Sequence, residues 1–120
     1  MEIEYVEEEQ YVYLRTNKDY EARDVDVFLK EATTFAKQHH CFRILIDHRD
    51  CRFTAGVYDI HRITKNLDRY GFDFKYKGAV LYNQDKDKYS FADTVAHNWS
   101  LGVLRFFDDS IEAKNWLFEE

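Results

Sequence analysis

VLRFFDDSIEAKNWL, residues 103–117, is the stretch that decides the fold. Its first part is a short apolar run that stops at residues 108–110 (DDS), three residues of the types that begin helices well. Apolar residues then recur at roughly helical spacing: Ile111, Ala113, Trp116 and Leu117. The stretch therefore predicts a buried strand, a capped turn and a short helix that lies back on the sheet.

The first forty residues predict a hairpin followed by a helix. Residues 2–6 and 10–16 alternate in character on either side of a glutamate triplet at 7–9, which is typical of a β-hairpin. From Asp24 the period becomes helical, and we expect this helix to end near residues 38–40. Its apolar face consists of Val25, Phe28, Leu29, Ala32, Phe35 and Ala36.

The next segment predicts a strand and a second helix. Residues 42–47 (FRILID) form a short apolar run of the kind that lies inside a sheet. After a polar loop at 48–53, Thr54 is placed to cap a helix that stops around residues 70–71. The apolar side of this helix consists of Val57, Ile60, Ile63, Thr64 and Leu67.

A further strand and helix follow before the closing stretch. Residues 77–82 (KGAVLY) predict the strand, and the capping pattern SFAD at residues 90–93 predicts the start of the helix. We expect this helix to carry five residues inward: Phe91, Ala92, Val95, Ala96 and Trp99.

The resulting element order is ββαβαβαβα. Strands that alternate with helices imply layers of helices on a sheet, with right-handed crossovers between parallel strands. We therefore predict the α/β class, with a single mixed, partly parallel sheet of about five strands and four helices. Residues 1–120 are expected to form one domain.

Composition and charge exclude several classes of function. Apolar residues make up 45% of the chain and aromatic residues 18%, which is typical of a packed domain. Seventeen basic and 23 acidic residues give a net charge of -6, so we expect no nucleic-acid partner. No window approaches the roughly 18 continuous apolar residues of a membrane span. The acidic, alternating start is unlike a secretory signal, which favours a cytoplasmic location.

The two cysteines, Cys41 and Cys51, are predicted to be reduced thiols, one of them buried. They flank one extended strand, which holds their Cα atoms beyond the roughly 7 Å limit for a disulfide.

The element order and the closing residues resemble a known family. Asp47 ends a central strand, and the end of the chain reads Arg105-Phe106-Phe107-Asp108, then Glu112-Ala113, then Trp116-Leu117. These features resemble the SpoIIAA-like group of the STAS fold, which is described together with Sec14-type lipid-binding domains. The resemblance covers nearly the whole chain. It implies the fold predicted above and a binding or regulatory module of the bacterial cytoplasm.

The first candidate site is the loop and helix start at residues 47–56. Binding sites in open α/β sheets gather at the carboxyl ends of strands and at the helix N-termini beside them. Backbone N–H groups there face any anion, and arginines add positive charge. We therefore expect an anion or partner contact built from Asp47, Arg49, Arg52, Thr54 and Gly56.

Two interpretations of Thr54 stay open. In STAS antagonists a partner kinase phosphorylates a serine at this helix start, in a run resembling Asp-Ser-Ser-Gly. The corresponding run here is Phe53-Thr54-Ala55-Gly56, which keeps the glycine and lacks the aspartate and both serines. The resemblance leaves Thr54 as the phosphorylation candidate, whereas the residues themselves favour an ordinary helix cap.

The same loop contains residue types that serve catalysis or metal binding. His48, Asp50 and Cys51 can supply a nucleophile with its base, or metal ligands. Neighbours in an extended segment point to opposite sides, so His48 and Cys51 converge only if a specific turn brings them together. A zinc site also needs a ligand from elsewhere, and His61 is the nearby supplier. We predict no catalytic residue, no metal and no cofactor.

The second candidate site is the aromatic segment at residues 70–77. Tyr70, Phe72, Phe74 and Tyr76 alternate with other residues, so an extended backbone places the four rings on one side. One interpretation is a strand, or the approach to one, that packs its rings on the core. The other is an aromatic wall for an apolar ligand or a partner.

Two functions follow from these sites. The first is a non-enzymatic regulatory module that acts through protein contacts at residues 47–56, with a homodimer as one form. The second, which the Sec14 association implies, is a carrier of a lipid or other apolar small molecule that uses the aromatic segment as one wall.

Overall fold

Five strands form one mixed sheet in the computed structural model, which describes residues 1–99 and 103–119. The strands are β1 (Glu2–Val6), β2 (Tyr11–Arg15), β3 (Arg43–Asp47), β4 (Lys77–Leu81) and β5 (Leu104–Phe107). Their order across the sheet follows the chain, β1-β2-β3-β4-β5. β1 is antiparallel to β2, and the other neighbours are parallel.

Four helices cover the sheet unequally. They are α1 (Ala22–Gln38), α2 (Val57–Lys65), α3 (Lys86–Trp99) and α4 (Ser110–Leu117), with a short 3₁₀ helix at Leu67–Tyr70. The first three lie on one face of the sheet, and α4 lies on the other, against β3, β4 and β5. The prediction of an α/β domain with one mixed five-stranded sheet and four helices is confirmed.

Alternation along the strands divides the core between the two faces. In β3, Ile44 and Ile46 enter the larger cluster under α1, α2 and α3, whereas Leu45 enters the smaller cluster under α4. All three are buried. The apolar run at residues 42–47 therefore has a physical reason, because a strand covered on both faces has no solvent side.

The capped turn and the short helix of the closing stretch agree with its sequence pattern, whereas β5 is only partly buried. Oδ1 of Asp109 accepts hydrogen bonds from the backbone N–H of Ile111 at 2.7 Å and of Glu112 at 3.2 Å. This is the predicted capped turn. Ala113 and Leu117 are fully buried in the smaller cluster, while Ile111 is exposed.

The predicted start of α3 at residues 90–93 is wrong. The helix begins at Lys86, one turn earlier, and Ser90 lies inside it. Asp85 precedes it in the left-handed region, with φ of 62°, and its carbonyl accepts the N–H groups of Lys88 and Tyr89. Asp tolerates this backbone conformation better than most residues. Asp85 therefore sets the start of the helix.

The prediction that Trp99 points inward is also wrong. Trp99 ends α3 with 57% of its surface exposed, and Nζ of Lys65 lies 4.3 Å from its ring centroid. At the last turn of the helix the ring has reached the edge of the core and takes a cation as its neighbour. Phe42 is a second such case. It begins the apolar run at residues 42–47 that predicted a strand inside the sheet, yet 45% of its surface is exposed.

Both cysteines are buried and unbridged, where the sequence predicted only one buried thiol. None of the helices in the described ranges is long and apolar enough to cross a membrane.

Gly78 in the middle of β4 provides a test of the larger core. A Cβ atom there would lie 2.6 Å from the Phe72 ring and 2.7 Å from Cδ1 of Leu104, closer than side chains approach. We expect Gly78→Ala to lower the free energy of unfolding by about 1–3 kcal/mol, because overpacking forces both neighbours to shift. Urea unfolding measures this change. Gly56→Ala, where the added atom meets open space, is the matched control; equal stability of the two variants would contradict the packing described here.

Candidate functional site at the carboxyl edge of the sheet

Three loops are joined above the carboxyl ends of β2, β3 and β4. We call residues 47–56 the corner loop. Tyr20, from the β2–α1 loop, donates its N–H to the carbonyl of Arg52 at 3.0 Å. Its own carbonyl accepts the N–H of Thr54 at 2.9 Å, which makes an isolated parallel bridge between Tyr20 and Phe53.

Side chains from the other two loops complete this connection. Oδ1 of Asp19 accepts the N–H of Arg52, and Oδ2 of Asp85 accepts the N–H of Phe53, both at 2.9 Å. Nζ of Lys88 donates to the carbonyl of Phe53 at 2.6 Å. The backbone of the corner loop is therefore held from both sides. Binding of a partner then costs it little further conformational entropy.

Asp47 is buried and already has its partners. Its carboxylate accepts hydrogen bonds from the Tyr13 hydroxyl at 2.5 Å and from the Arg49 guanidinium at 2.8 and 2.9 Å. Burial raises the pKa of Asp47, but the bonds from Arg49 and Tyr13 outweigh it and hold the pKa at about 2. Burial and the Asp47 charge together raise the pKa of Tyr13 to about 12. Asp47 and Arg49 thus neutralise each other.

Thr54 does not cap α2, and that prediction is wrong. Its hydroxyl donates to the carbonyl of Tyr20 at 3.1 Å, because the bridge between the loops places that carbonyl beside it. Gly56 precedes the helix in extended conformation, and no side chain caps the first turn. The Thr54 side chain is exposed. Phosphorylation of Thr54 stays a prediction.

Arg52 and the start of α2 form the open part of the corner. The Arg52 side chain is exposed and makes no ion pair with any residue in the described ranges. Val57 is 61% exposed and Tyr58 is 81% exposed, beside Gly56. The sequence pattern assigned Val57 to the buried face and did not single out Tyr58. Both residues lie in the first turn of α2, and only the exposure of Val57 departs from the sequence pattern.

His48 and Cys51 come together at a turn. Cys51 donates its N–H to the carbonyl of His48 at 3.2 Å, which brings Sγ to 3.9 Å from Nδ1 of the imidazole. Thr16 Oγ1 lies between them, 2.7 Å from Nδ1 and 2.9 Å from Sγ. The condition that the sequence set for these side chains to converge is met, because residues 49–50 form the required turn.

The surroundings of His48 and Cys51 favour the uncharged form of both side chains. Burial lowers the pKa of His48 to about 3 and outweighs the opposite effect of Asp47. Burial also raises the pKa of the Cys51 thiol. A neutral imidazole beside a protonated thiol lacks the thiolate that a cysteine nucleophile requires. Across residues 1–99 and 103–119 no group of three His, Cys, Asp or Glu side chains could hold a metal ion.

An apolar cavity adjoins His48 inside the larger core. Its volume is about 50 Å³, and its walls come from α1, α2, α3 and the sheet. The polar groups of His48, Tyr20 and Tyr89 meet at one end, where the two tyrosine hydroxyls lie 2.5 Å apart. The remaining wall is almost wholly hydrocarbon, through residues such as Phe28, Ile63 and Leu67.

The four rings of residues 70–77 do not share one side. Phe72 and Tyr76 are buried in the larger core, while Phe74 is 78% exposed and Tyr70 is partly buried. The segment is not extended: Gly71 takes φ of 90°, and Tyr76 donates its N–H to the carbonyl of Asp73 in a turn. This turn breaks the alternation on which the prediction rested. None of the four rings lines the cavity beside His48.

Comparison with protein-family models, with curated proteins and with solved structures finds no significant match for this chain. The resemblance to SpoIIAA-like STAS proteins therefore remains a prediction.

The buried imidazole generates a pH test. In the unfolded chain a histidine takes up a proton near pH 6.5, whereas the folded protein resists protonation of His48 down to about pH 3. Stability is therefore fully present above about pH 6.5 and is lost as the pH falls towards about 3. The slope from this group approaches about 1.4 kcal/mol per pH unit. Urea unfolding at a series of pH values measures it.

His48→Phe should flatten this dependence, since the ring remains and the titration is removed. His97→Gln, a change at an exposed histidine, should keep the slope of the unmodified protein. Parallel curves for the unmodified protein and His48→Phe would show that His48 is not the group responsible.

Proposed function

We propose that this chain is a non-enzymatic binding module, of the regulatory kind found among SpoIIAA-like STAS proteins, that acts through protein contacts at the corner loop. The observation that carries the proposal is an exposed aromatic, Tyr58, beside the exposed Val57, on a backbone fixed by neighbouring loops. Tyrosine and arginine are enriched at protein interfaces, and the exposed Arg52 lies in the loop that leads into this pair.

Rigidity supports the same proposal. Asp19 and Asp85 accept backbone N–H groups of residues 52–53, and the Tyr20 backbone bonds on both sides of them, so this segment is fixed before any partner arrives. A surface ordered in advance avoids the entropy that a mobile loop loses on association. Asp47 and Arg49 satisfy each other, so their role in this proposal is to support the loop and not to touch the partner.

A site-specific cross-link tests the proposal. With p-benzoylphenylalanine at position 58, irradiation of the cells that naturally make the protein should yield one dominant adduct with a defined partner. The adduct should weaken when Arg52→Glu or Val57→Asp is added, because both changes alter the contact surface and not the core. The same probe at Phe74, which is equally exposed outside the corner, is the matched control.

The outcomes separate the alternatives. An adduct with a second copy of this chain identifies the homodimer, and one with another protein identifies a regulatory partner. Equal, unspecific labelling from positions 58 and 74 would contradict the proposal.

The apolar cavity favours a second candidate, a carrier of a lipid or other apolar molecule. Its present volume of about 50 Å³ falls well below the roughly 300–1,000 Å³ of small-molecule sites. A ligand therefore requires α2 to move. α2 packs along α3 and hardly touches α1, so the cavity lies under the weaker seam between α1 and α2.

Ala92→Val tests this candidate, because it adds apolar volume to the wall of the cavity. If the protein carries an apolar molecule, native mass spectrometry of protein from its own cells should find an extractable adduct that Ala92→Val lacks. Urea unfolding verifies that the variant is folded. An unmodified protein without any adduct would contradict the carrier function.

A further inference from the structure

A cleft at the opposite, amino end of the strands gathers positive charge. We call it the basal cleft; its walls include His40, Phe42, Arg43, Lys75 and Lys77, together with one acidic residue, Glu119. Its volume is about 570 Å³, within the range of small-molecule sites. It lies at the far end of β3 and β4 from the corner loop and shares no wall residue with it.

Two cations stand side by side at the base of this cleft. Arg43 and Lys77 begin β3 and β4 and are register partners on neighbouring strands. Like charges at such positions destabilise a sheet. Neither forms an ion pair with any carboxylate in residues 1–99 and 103–119. Burial lowers the pKa of Lys77, the Arg43 charge adds to that effect, and Glu119 opposes it.

Helix C-termini account for only part of this charge. α1 and α4 both end here, and their terminal carbonyls attract cations. Lys77 does donate to the carbonyl of Glu119 at 2.8 Å. The last turn of α1, however, already binds the N–H groups of His39, His40 and Cys41.

The remaining donors are unused. The side chains of Arg43, Lys75 and His40 donate no hydrogen bond within the part of the chain that the structure describes. The Arg43 guanidinium lies 5.3 Å from the centroid of the Phe118 ring, which orients it without occupying its N–H groups. Its planar fork suits two oxygens of one oxyanion.

His40 contributes a third side chain to the cleft. It follows the end of α1 with φ of 51°, in the left-handed position at which many helices end. Histidine adopts this region more readily than most residues. The helix end places its imidazole, a further donor, at the wall of the basal cleft.

From these observations we infer that the basal cleft binds the phosphate group of an organic phosphate monoester, between Arg43, Lys75 and His40. The three residues line one cleft, and a dianion with three terminal oxygens takes several donors. Phe42, 45% exposed, offers an apolar surface for the organic part. The net charge of -6 repels anions from the protein as a whole, so binding depends on this local group.

Two-dimensional NMR of the full chain tests the inference with three probes. They are inorganic phosphate, phenyl phosphate, and vesicles of phosphatidylcholine with or without phosphatidic acid. Phenyl phosphate should shift the amide signals of residues in the basal cleft in a saturable way. Its Kd should be lower than that of inorganic phosphate. Binding only to vesicles that contain phosphatidic acid would identify a lipid headgroup as the source of the phosphate. Binding to soluble phenyl phosphate identifies a free metabolite.

Matched variants locate the site. Arg43→Gln and Lys75→Gln should each weaken binding at least tenfold. Arg69→Gln and Lys18→Gln, which remove exposed cations elsewhere, should leave it unchanged. Lys75 is exposed, so its variant tests the inference even if Arg43→Gln is poorly folded. The inference is overturned if no probe gives saturable shifts, or if the control variants weaken binding as much as the cleft variants do.

Discussion

The connection of three loops above the carboxyl edge of the sheet is the constraint on which the rest of the structure depends. The bridge between Tyr20 and Phe53 joins the segment before α1 to the segment before α2, and Asp85 extends the connection to the start of α3. Each helix on the larger face thus begins at a point fixed relative to the other two. The rings of Tyr20 and Phe53 stack at a centroid distance of 4.7 Å, so the same contact also closes the core from above.

Burial of His48 follows from this closure. Its ring stacks on Tyr20 at a centroid distance of 4.4 Å, and Thr16 satisfies its Nδ1. A neutral imidazole tolerates such surroundings, whereas a charged one loses its hydration without gaining an ion partner. The cavity beside His48 is lined from α1, α2 and α3 and lies where α1 and α2 touch only slightly.

Local pattern predicted the elements, whereas distant partners decided how they begin. The apolar periodicity of β3 and the Asp109 cap of α4 depend on near neighbours, and both agree with the sequence. The Thr54 hydroxyl goes instead to a carbonyl 34 residues away. Asp85 sets the start of α3 while its side chain holds a backbone N–H 32 residues away. No window of the sequence contains these partners. The exposure of Val57 in the first turn of α2 was likewise not indicated, whereas Tyr58 lies outside the predicted apolar face.

The two ends of the strands differ in whether their charged side chains have partners within the chain. At the carboxyl end, Asp47 is neutralised within the chain by Arg49, and Asp19 and Asp85 hold backbone N–H groups. At the amino end, Arg43 and Lys75 have no carboxylate partner in the described ranges. The chain has six more acidic than basic residues, so the cations of the basal cleft are a local exception to its overall negative charge. The inferred phosphate site thus lies at one end of the sheet, whereas the open surface at the other end combines the exposed Val57 and Tyr58 with one cation, Arg52. The two surfaces therefore suit different kinds of ligand.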